Sequence, residues 1–420
     1  MTIIILAFLI LHIAFAGRSK SRNEYYIGDK KNGWLSTGVS IAVTVTGASA
    51  IFGTLTLSYQ YGLWGFIWLI SGCIGLTILL ILSSKLRYGE LTFIKSQNRF
   101  FEILLALVIL ISWVLIISVQ LKVLSSMLST WLWGRYFAGF IVALTIGVYL
   151  YRGGQNAVIK SDNIQFFIMM LSLVVSVIVL LIKTPLSHVT YDNPEFLEKY
   201  SILAFLPVIF SYIVGPDIHG RLIGLPSQDR RKSIGVSILL ISLFSLGLVI
   251  VGMLLQRVFP GVSPSKIPEL IVLNVPDSLR WLILLGLTAA IMSSLDTTVF
   301  TATTICNENL LKNRPASSLT LPLILLLSLL TTFSNLGIID LMMLSYNIYI
   351  GIMGVPLFMS LFRLRMPPEN VFKGILFISV FFFGVSFYLN FKYYYIYSAT
   401  PWAFYHIWLI LSRMLQTSKI

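Results

Sequence analysis

The chain has 420 residues, 57% hydrophobic and only 11% charged, with a mean hydropathy of +0.89. An average soluble domain is about 25% charged, so this composition excludes a soluble enzyme, a secreted disulfide scaffold and a disordered chain, and describes a polytopic membrane protein. The net charge of +14 would suit nucleic acid only if the cations were gathered for it, and the two cysteines, Cys73 and Cys306, sit in apolar runs that suit neither a disulfide framework nor a metal cluster.

A transmembrane helix needs about 20 mostly apolar residues. That rule predicts an all-α integral membrane protein with thirteen spans, over 1–16, 34–58, 62–86, 101–128, 136–154, 158–183, 201–224, 233–256, 281–312, 316–333, 339–364, 371–388 and 399–415. The first span lacks a basic start and precedes the cationic stretch 18–31, so it reads as a retained helix rather than a signal peptide. With the N-terminus outside and the C-terminus inside, 22 of the 30 Lys and Arg fall on the inner side. Seven fall outside (Arg135, Lys183, Lys199, Arg257, Lys266, Arg280, Lys392), and Lys122 lies within a span. This is the positive-inside asymmetry, so the charge excess reports topology and needs no nucleic-acid partner. The longest connection, 257–280, is expected to lay a short helix near 268–275 over the outer mouth. No loop can hold a separate domain, so 1–420 reads as one membrane domain without a catalytic module, and no obligate protein partner is evident.

Polar residues inside hydrocarbon are costly, so their positions carry information. In the second span, Ser40, Thr44, Thr46, Gly47, Ser49, Gly53 and Thr54 cluster where a helix can unwind, although close packing of small residues would give the same pattern. The sixth span holds Asp162 in its inner part. The seventh span carries Gly215-Pro216, which removes a backbone donor and either breaks the helix or only kinks it. In the ninth, Ala290, Ser293, Ser294, Thr297 and Thr301 recur at helical spacing and form one face. Such hydroxyls suit a hard monovalent cation, offering oxygen dipoles without trapping charge. Serine and threonine can also satisfy themselves on the preceding turn, but that does not account for Asp296 beside them. Intramembrane acids point to ion or proton pathways. The two candidate breaks open sets of five spans of opposite orientation, the inverted-repeat plan of secondary transporters. Neither a nucleotide-binding loop nor a hydrolase motif occurs.

At these residues the chain resembles the sodium:solute symporter family, whose members carry proline, sugars, sialic acid, pantothenate or monocarboxylates. The resemblance rests on Glu24–Lys31 with Trp34, on Tyr59-Gln-Tyr-Gly62, on Gly153-Gly-Gln-Asn-Ala-Val through Asp162 and Gln165, on Pro216 with Arg221, and on Ala289-Ala-Ile-Met-Ser-Ser-Leu-Asp-Thr297. It implies a 5+5 inverted-repeat core with broken first and sixth core helices (repeats 34–183 and 201–364), one extra N-terminal helix with its inner loop (1–33) and two C-terminal helices (371–415). It also implies a sodium site from the carbonyls of Val43 and Thr46 with Ala290, Ser293 and Ser294. Asp162 would lie on the inward release route, and Asp296 and Thr297 would offer a second sodium position. Solute contacts would come from Thr44, Val45, Ala48, Tyr212 and Asn347.

The departures narrow the solute. Val45 stands where proline carriers place an aspartate, and Ser49 and Ala50 stand where sugar carriers place polar partners. A polyhydroxylated solute is thereby disfavoured. The expectation is a sodium-coupled symporter, not an enzyme, in the plasma membrane (the cytoplasmic membrane of a bacterium), importing a small carboxylate or neutral amino acid. Proton coupling, and a non-transporting sensor that keeps the fold, are the alternatives.

Overall fold

The computed structural model describes residues 1–28, 32–86, 88, 99–184, 196, 205–263, 267, 270, 272, 275–312, 319–334, 338–362, 364, 366–389 and 394–417. Among these, helices α1 (Thr2–Phe15), α2 (Arg22–Ile27), α3 (Trp34–Val45), α4 (Ala48–Tyr61), α5 (Phe66–Leu82), α6 (Arg99–Leu128) and α7 (Arg135–Lys183) make up the first half. The second half holds α8 (Leu206–Val214), α9 (Pro216–Ile223), α10 (Ser227–Val258), α11 (Asp277–Ile305), α12 (Thr320–Thr331), α13 (Ile338–Leu361), α14 (Glu369–Tyr388) and α15 (Tyr394–Thr417). No strand occurs among the described residues. Seven helical stretches are long and apolar enough to cross a membrane, with α1, α3 and α12 as shorter apolar helices. Most of the stretch 268–275 lies outside the described residues, as do Lys30, Lys31, Arg87, Lys95, Lys199, Lys266, Arg314, Arg363, Arg365, Lys392 and Lys419 of the charge argument.

Burial sorts the helices by role. The most apolar stretch of α11 is buried throughout, whereas barely a fifth of that of α14 is buried. α11 is therefore the central post, packed on α7, α6 and α3, and α14 is peripheral. Exposed Ile74, Leu107, Phe140, Leu323 and Phe377 give the outside an apolar character, as contact with lipid requires.

The second and seventh predicted spans are both interrupted. α3 gives way to α4 at Thr46 and Gly47, where Gly47 is extended. α8 gives way to α9 at Gly215, also extended, because Pro216 has no N–H to continue the ladder. Free carbonyls inside hydrocarbon need donors. His219 bonds Ile213 O at 2.8 Å and the Tyr349 hydroxyl bonds Val214 O at 2.5 Å, so two of the carbonyls freed at the end of α8 are met.

The fifth and sixth predicted spans meet without the intervening loop that the sequence suggested. A straight 49-residue helix would run to about 74 Å, more than twice the roughly 30 Å hydrocarbon layer, so α7 has to fold back on itself. It does so at Gly154 (φ 55°, ψ −140°), with Gly153 and Gly154 packed against the backbone of Ala16 and Tyr25. Ser19 fills the gap, its hydroxyl bonding Gly153 O at 2.8 Å and its amide bonding Arg152 O at 2.9 Å. Only glycine tolerates that backbone conformation without strain. Gly154→Ala should therefore lose roughly 1–3 kcal/mol or more from backbone strain, read as a lower melting temperature of the detergent-solubilised protein. Gly235→Ala, in open space on α10, is the control and should melt as the parent does.

Candidate functional site

The lower half of the first broken helix, the second part of α7, the half-helix α9 and the post α11 converge on one buried ion pair. Arg221 Nη2 lies 2.8 Å from Asp162 Oδ2, and both side chains are essentially inaccessible. Removing two ions from water costs several kcal/mol each unless every remaining lone pair and proton finds a partner. Here they do. Ser40 donates to Asp162 Oδ2, and Ser293 donates to Oδ1 at 2.5 Å. Arg221 Nε donates to Ser40 Oγ at 2.5 Å and Nη1 to Asp217 O at 3.1 Å, while the two hydrogens of Nη2 are shared among Asp162, Thr44 Oγ1 at 2.6 Å and Thr297 Oγ1 at 2.5 Å.

Asp296 adjoins this network through Thr297, which donates to its Oδ1 at 3.2 Å. Tyr149 donates to Oδ2, and Ser161 reaches the same oxygen at 3.3 Å. Asp296 has hydroxyl partners and no ion pair among the described residues.

The hydroxyl face of α11 meets the first break. Ser294 donates to Thr44 O at 2.6 Å, and Gly47 lies so close to that serine that any side chain there would collide with it. Val43 O accepts the Thr46 hydroxyl at 2.9 Å and the Thr46 amide at 3.1 Å. Ala290 is buried one turn earlier on α11. The donors gathered here are carbonyl, hydroxyl and carboxylate oxygens, the chemistry that a hard cation takes. In this conformation the serine hydroxyls face protein acceptors.

A cavity of about 60 Å³ lies between the two breaks, with Thr44, Val45, Trp113, Tyr212, Asp217 and Tyr346 on its wall and Gln120 bonding the Ala48 amide at 3.2 Å beside it. It is far smaller than the roughly 300–1,000 Å³ of small-molecule sites, so an organic solute requires its walls to part. Of the residues predicted to contact solute, Thr44, Val45 and Tyr212 are on this wall. Ala48 and Asn347 are buried but do not line it. The sequence reading missed Trp113, Gln120, Asp217 and Tyr346. The available signal was a glutamine and a tryptophan within the strongly hydrophobic α6, and an acid directly after the Gly-Pro pair.

This architecture is shared with known carriers. A sodium-coupled sialic acid symporter, solved in a substrate-bound outward-open state, superposes with a TM-score of 0.74 at 16% identity, covering 95% of this chain and 93% of that one. A nucleobase-cation-symport-1 family transporter in a closed conformation, with bromovinylhydantoin bound, gives 0.62 at 12% identity, covering 90% and 91%. The fold is thus one that cation-coupled carriers use. The sodium:solute symporter family pattern matches residues 25–366, and the chain belongs to that family of transporters rather than to any enzyme class. Among characterised relatives, the sodium/pantothenate symporter of Haemophilus influenzae is 24% identical over 329 residues, 71% of this chain and 68% of its own length. That of Escherichia coli is 23% identical over 328 residues, 70% and 67%.

Breaking a buried ion pair by removing one partner leaves an uncompensated charge, at about 3–5 kcal/mol. Asp162→Asn and Arg221→Gln should each lower the melting temperature sharply, and the double variant should recover most of the loss. Additive losses in that cycle would show that the two side chains do not stabilise each other.

Proposed function

We propose that the chain couples the inward movement of a small organic solute to sodium by alternating access. The coupling ion binds between the first break and α11, at the carbonyls of Val43 and Thr46 with Ala290, Ser293 and Ser294. The observation that carries this reading is the bond from Ser294 to Thr44 O at 2.6 Å, which brings the hydroxyl face of α11 onto the last turn of α3 at the break of the first broken helix. Sodium there would tie the two elements together and favour the outward-open state. Asp162 is the acid past which the ion leaves, and Asp296 with Thr297 offers a second sodium position or a further step on that route. The solute enters the cavity between the breaks, with Thr44, Val45, Ala48, Tyr212 and Asn347 as contacts, and is a small carboxylate or neutral amino acid. The two relatives named above are sodium/pantothenate symporters, which supports an organic solute of this scale. The protein sits in the bilayer of a bacterial cytoplasmic membrane, N-terminus outside, with 34–183 and 201–364 as inverted repeats.

Proton coupling is the second reading, and Asp296, held by Tyr149, Ser161 and Thr297, is the group it would use. Reconstituted protein separates the two, because uptake should follow an imposed sodium gradient and should not follow a proton gradient when choline replaces sodium. Ser293→Ala with Ser294→Ala removes two neutral oxygens while keeping a good helix former. The double variant should insert normally and need at least about tenfold more sodium for half-maximal uptake, the loss of roughly 1.4 kcal/mol of binding. Unchanged sodium dependence would remove the site assignment.

A further inference from the structure

The wall of the central cavity carries a carboxylate that has no ion pair among the described residues. Asp217 opens the first turn of α9, where its carboxylate is held by its own amide and that of Ile218. A helix start favours negative charge at that place. Arg221, one turn further on, is not its counter-ion, because the guanidinium bonds Asp162, Ser40, Thr44 and Thr297 and touches residue 217 only at its backbone oxygen. Among the described residues Asp217 has no ion pair. Tyr212 and Tyr346 share the cavity wall with it, and Tyr349 feels its charge from behind them.

The same wall holds a complementary orphan. The Trp113 indole N–H is buried without an acceptor, and its ring packs edge-on against Tyr349 with centroids 5.1 Å apart. An indole N–H can only donate, and a buried donor left unpaired is unfavourable. The cavity wall therefore holds a carboxylate without an ion pair and, sealed within the same wall, a donor without an acceptor that a solute would reach as the walls part.

Resting on the reading of this cavity as the solute site, we infer that the transported solute is a zwitterion with a positively charged nitrogen on Asp217 and a carboxylate oxygen on the Trp113 indole N–H. Tyr212 and Tyr346 on the same wall supply aromatic surroundings, which ammonium groups prefer. A plain monocarboxylate places like charge beside Asp217 and is disfavoured. A hexose can donate to Asp217 but does not balance its charge.

The test uses the full chain in proteoliposomes with an inward sodium gradient, probed with L-alanine, L-proline, glycine betaine, pyruvate, pantothenate and glucose. At least one of the three zwitterions should accumulate, and pyruvate, pantothenate and glucose should not compete with it. Asp217→Asn should raise the half-saturating concentration of that zwitterion at least about tenfold, the loss of one charge-assisted hydrogen bond. Trp113→Phe should raise it several-fold. Stabilisation of both variants by sodium in a thermal melt should match the parent. Sodium-driven uptake of pyruvate, pantothenate or glucose without a transported zwitterion overturns the proposal and leaves the symport reading standing. So does wild-type affinity for the zwitterion in Asp217→Asn, or stabilisation by sodium with no zwitterion bound or carried. Failure of every probe together with no stabilisation by sodium overturns both readings. The selectivity of the unaltered chain decides the matter even where Asp217→Asn does not fold.

Discussion

The buried pair of Arg221 and Asp162 sets the constraint that the rest of the core satisfies. A guanidinium and a carboxylate sealed from water are tolerable only when the surrounding hydroxyls complete their hydrogen bonding. Ser40 and Thr44 come from α3, Ser293 and Thr297 from α11, Asp162 from α7 and Arg221 from α9. Four elements are thereby fixed at one point, and two of them are halves of broken helices. The arrangement has discrete bonding partners rather than a continuous apolar surface, so a displacement of either half-helix has to exchange bonds as a set. That is the property a two-state carrier core requires, because coupling needs an element that both ligands can bias.

The breaks create the demand for that network and also the room for a ligand. Unwinding at Gly47 and Gly215 frees backbone groups in a medium that offers no water. His219, Tyr349, Ser294 and Gln120 answer those groups one by one. His219 is further held by the Tyr88 hydroxyl at 2.7 Å, and Arg230 stacks over the Tyr88 ring at 4.7 Å. The start of α10 and the residue at 88 thus brace the second break from outside the cavity. Polar residues that look like scattered exceptions in a hydrophobic sequence are a distributed solvent for two gaps in the helical ladder.

Much of this was legible in the sequence because the membrane makes composition and position strongly coupled. Hydropathy gave the all-helical class, Gly-Pro and Thr-Gly marked the interruptions, and 3.6-residue spacing put Ser293, Ser294 and Thr297 on one face. What local pattern could not give is which distant group meets which. Arg221 reads as part of a turn motif until α9 is placed beside α7, 59 residues away in sequence. Trp113 and Gln120 belong to a helix so apolar that its polar face has no periodic signature, and only the packing of α6 against the first break reveals their use. The apolar-run rule ends one predicted span at 154 and starts the next at 158, leaving a short connection between them. The structure keeps it helical, since the single residue Gly154 supplies the whole reversal.

Charge balance joins the sodium and solute proposals. Counted as ions, Asp162, Asp217 and Asp296 face one guanidinium, so the core is two positive charges short. Like charges about 4 Å apart repel by roughly 4 kcal/mol at an effective dielectric near 20, so what enters is selected by sign at each position. Sodium at the proposed site between the first break and α11 would supply one positive charge and leave Asp217 without an ion pair. A cationic solute would answer Asp217 but would add a second positive charge next to the sodium. An anion would attract sodium and be opposed by Asp217. A zwitterion meets Asp217 locally through its nitrogen and adds no net charge, and its carboxylate is free to lie toward the sodium. Trp113, Gly47 and Ser294 line the same cavity, so a carboxylate held by Trp113 would share it with the proposed sodium side. Each ligand then lowers the electrostatic cost of the other, and by linkage the two affinities rise by the same factor.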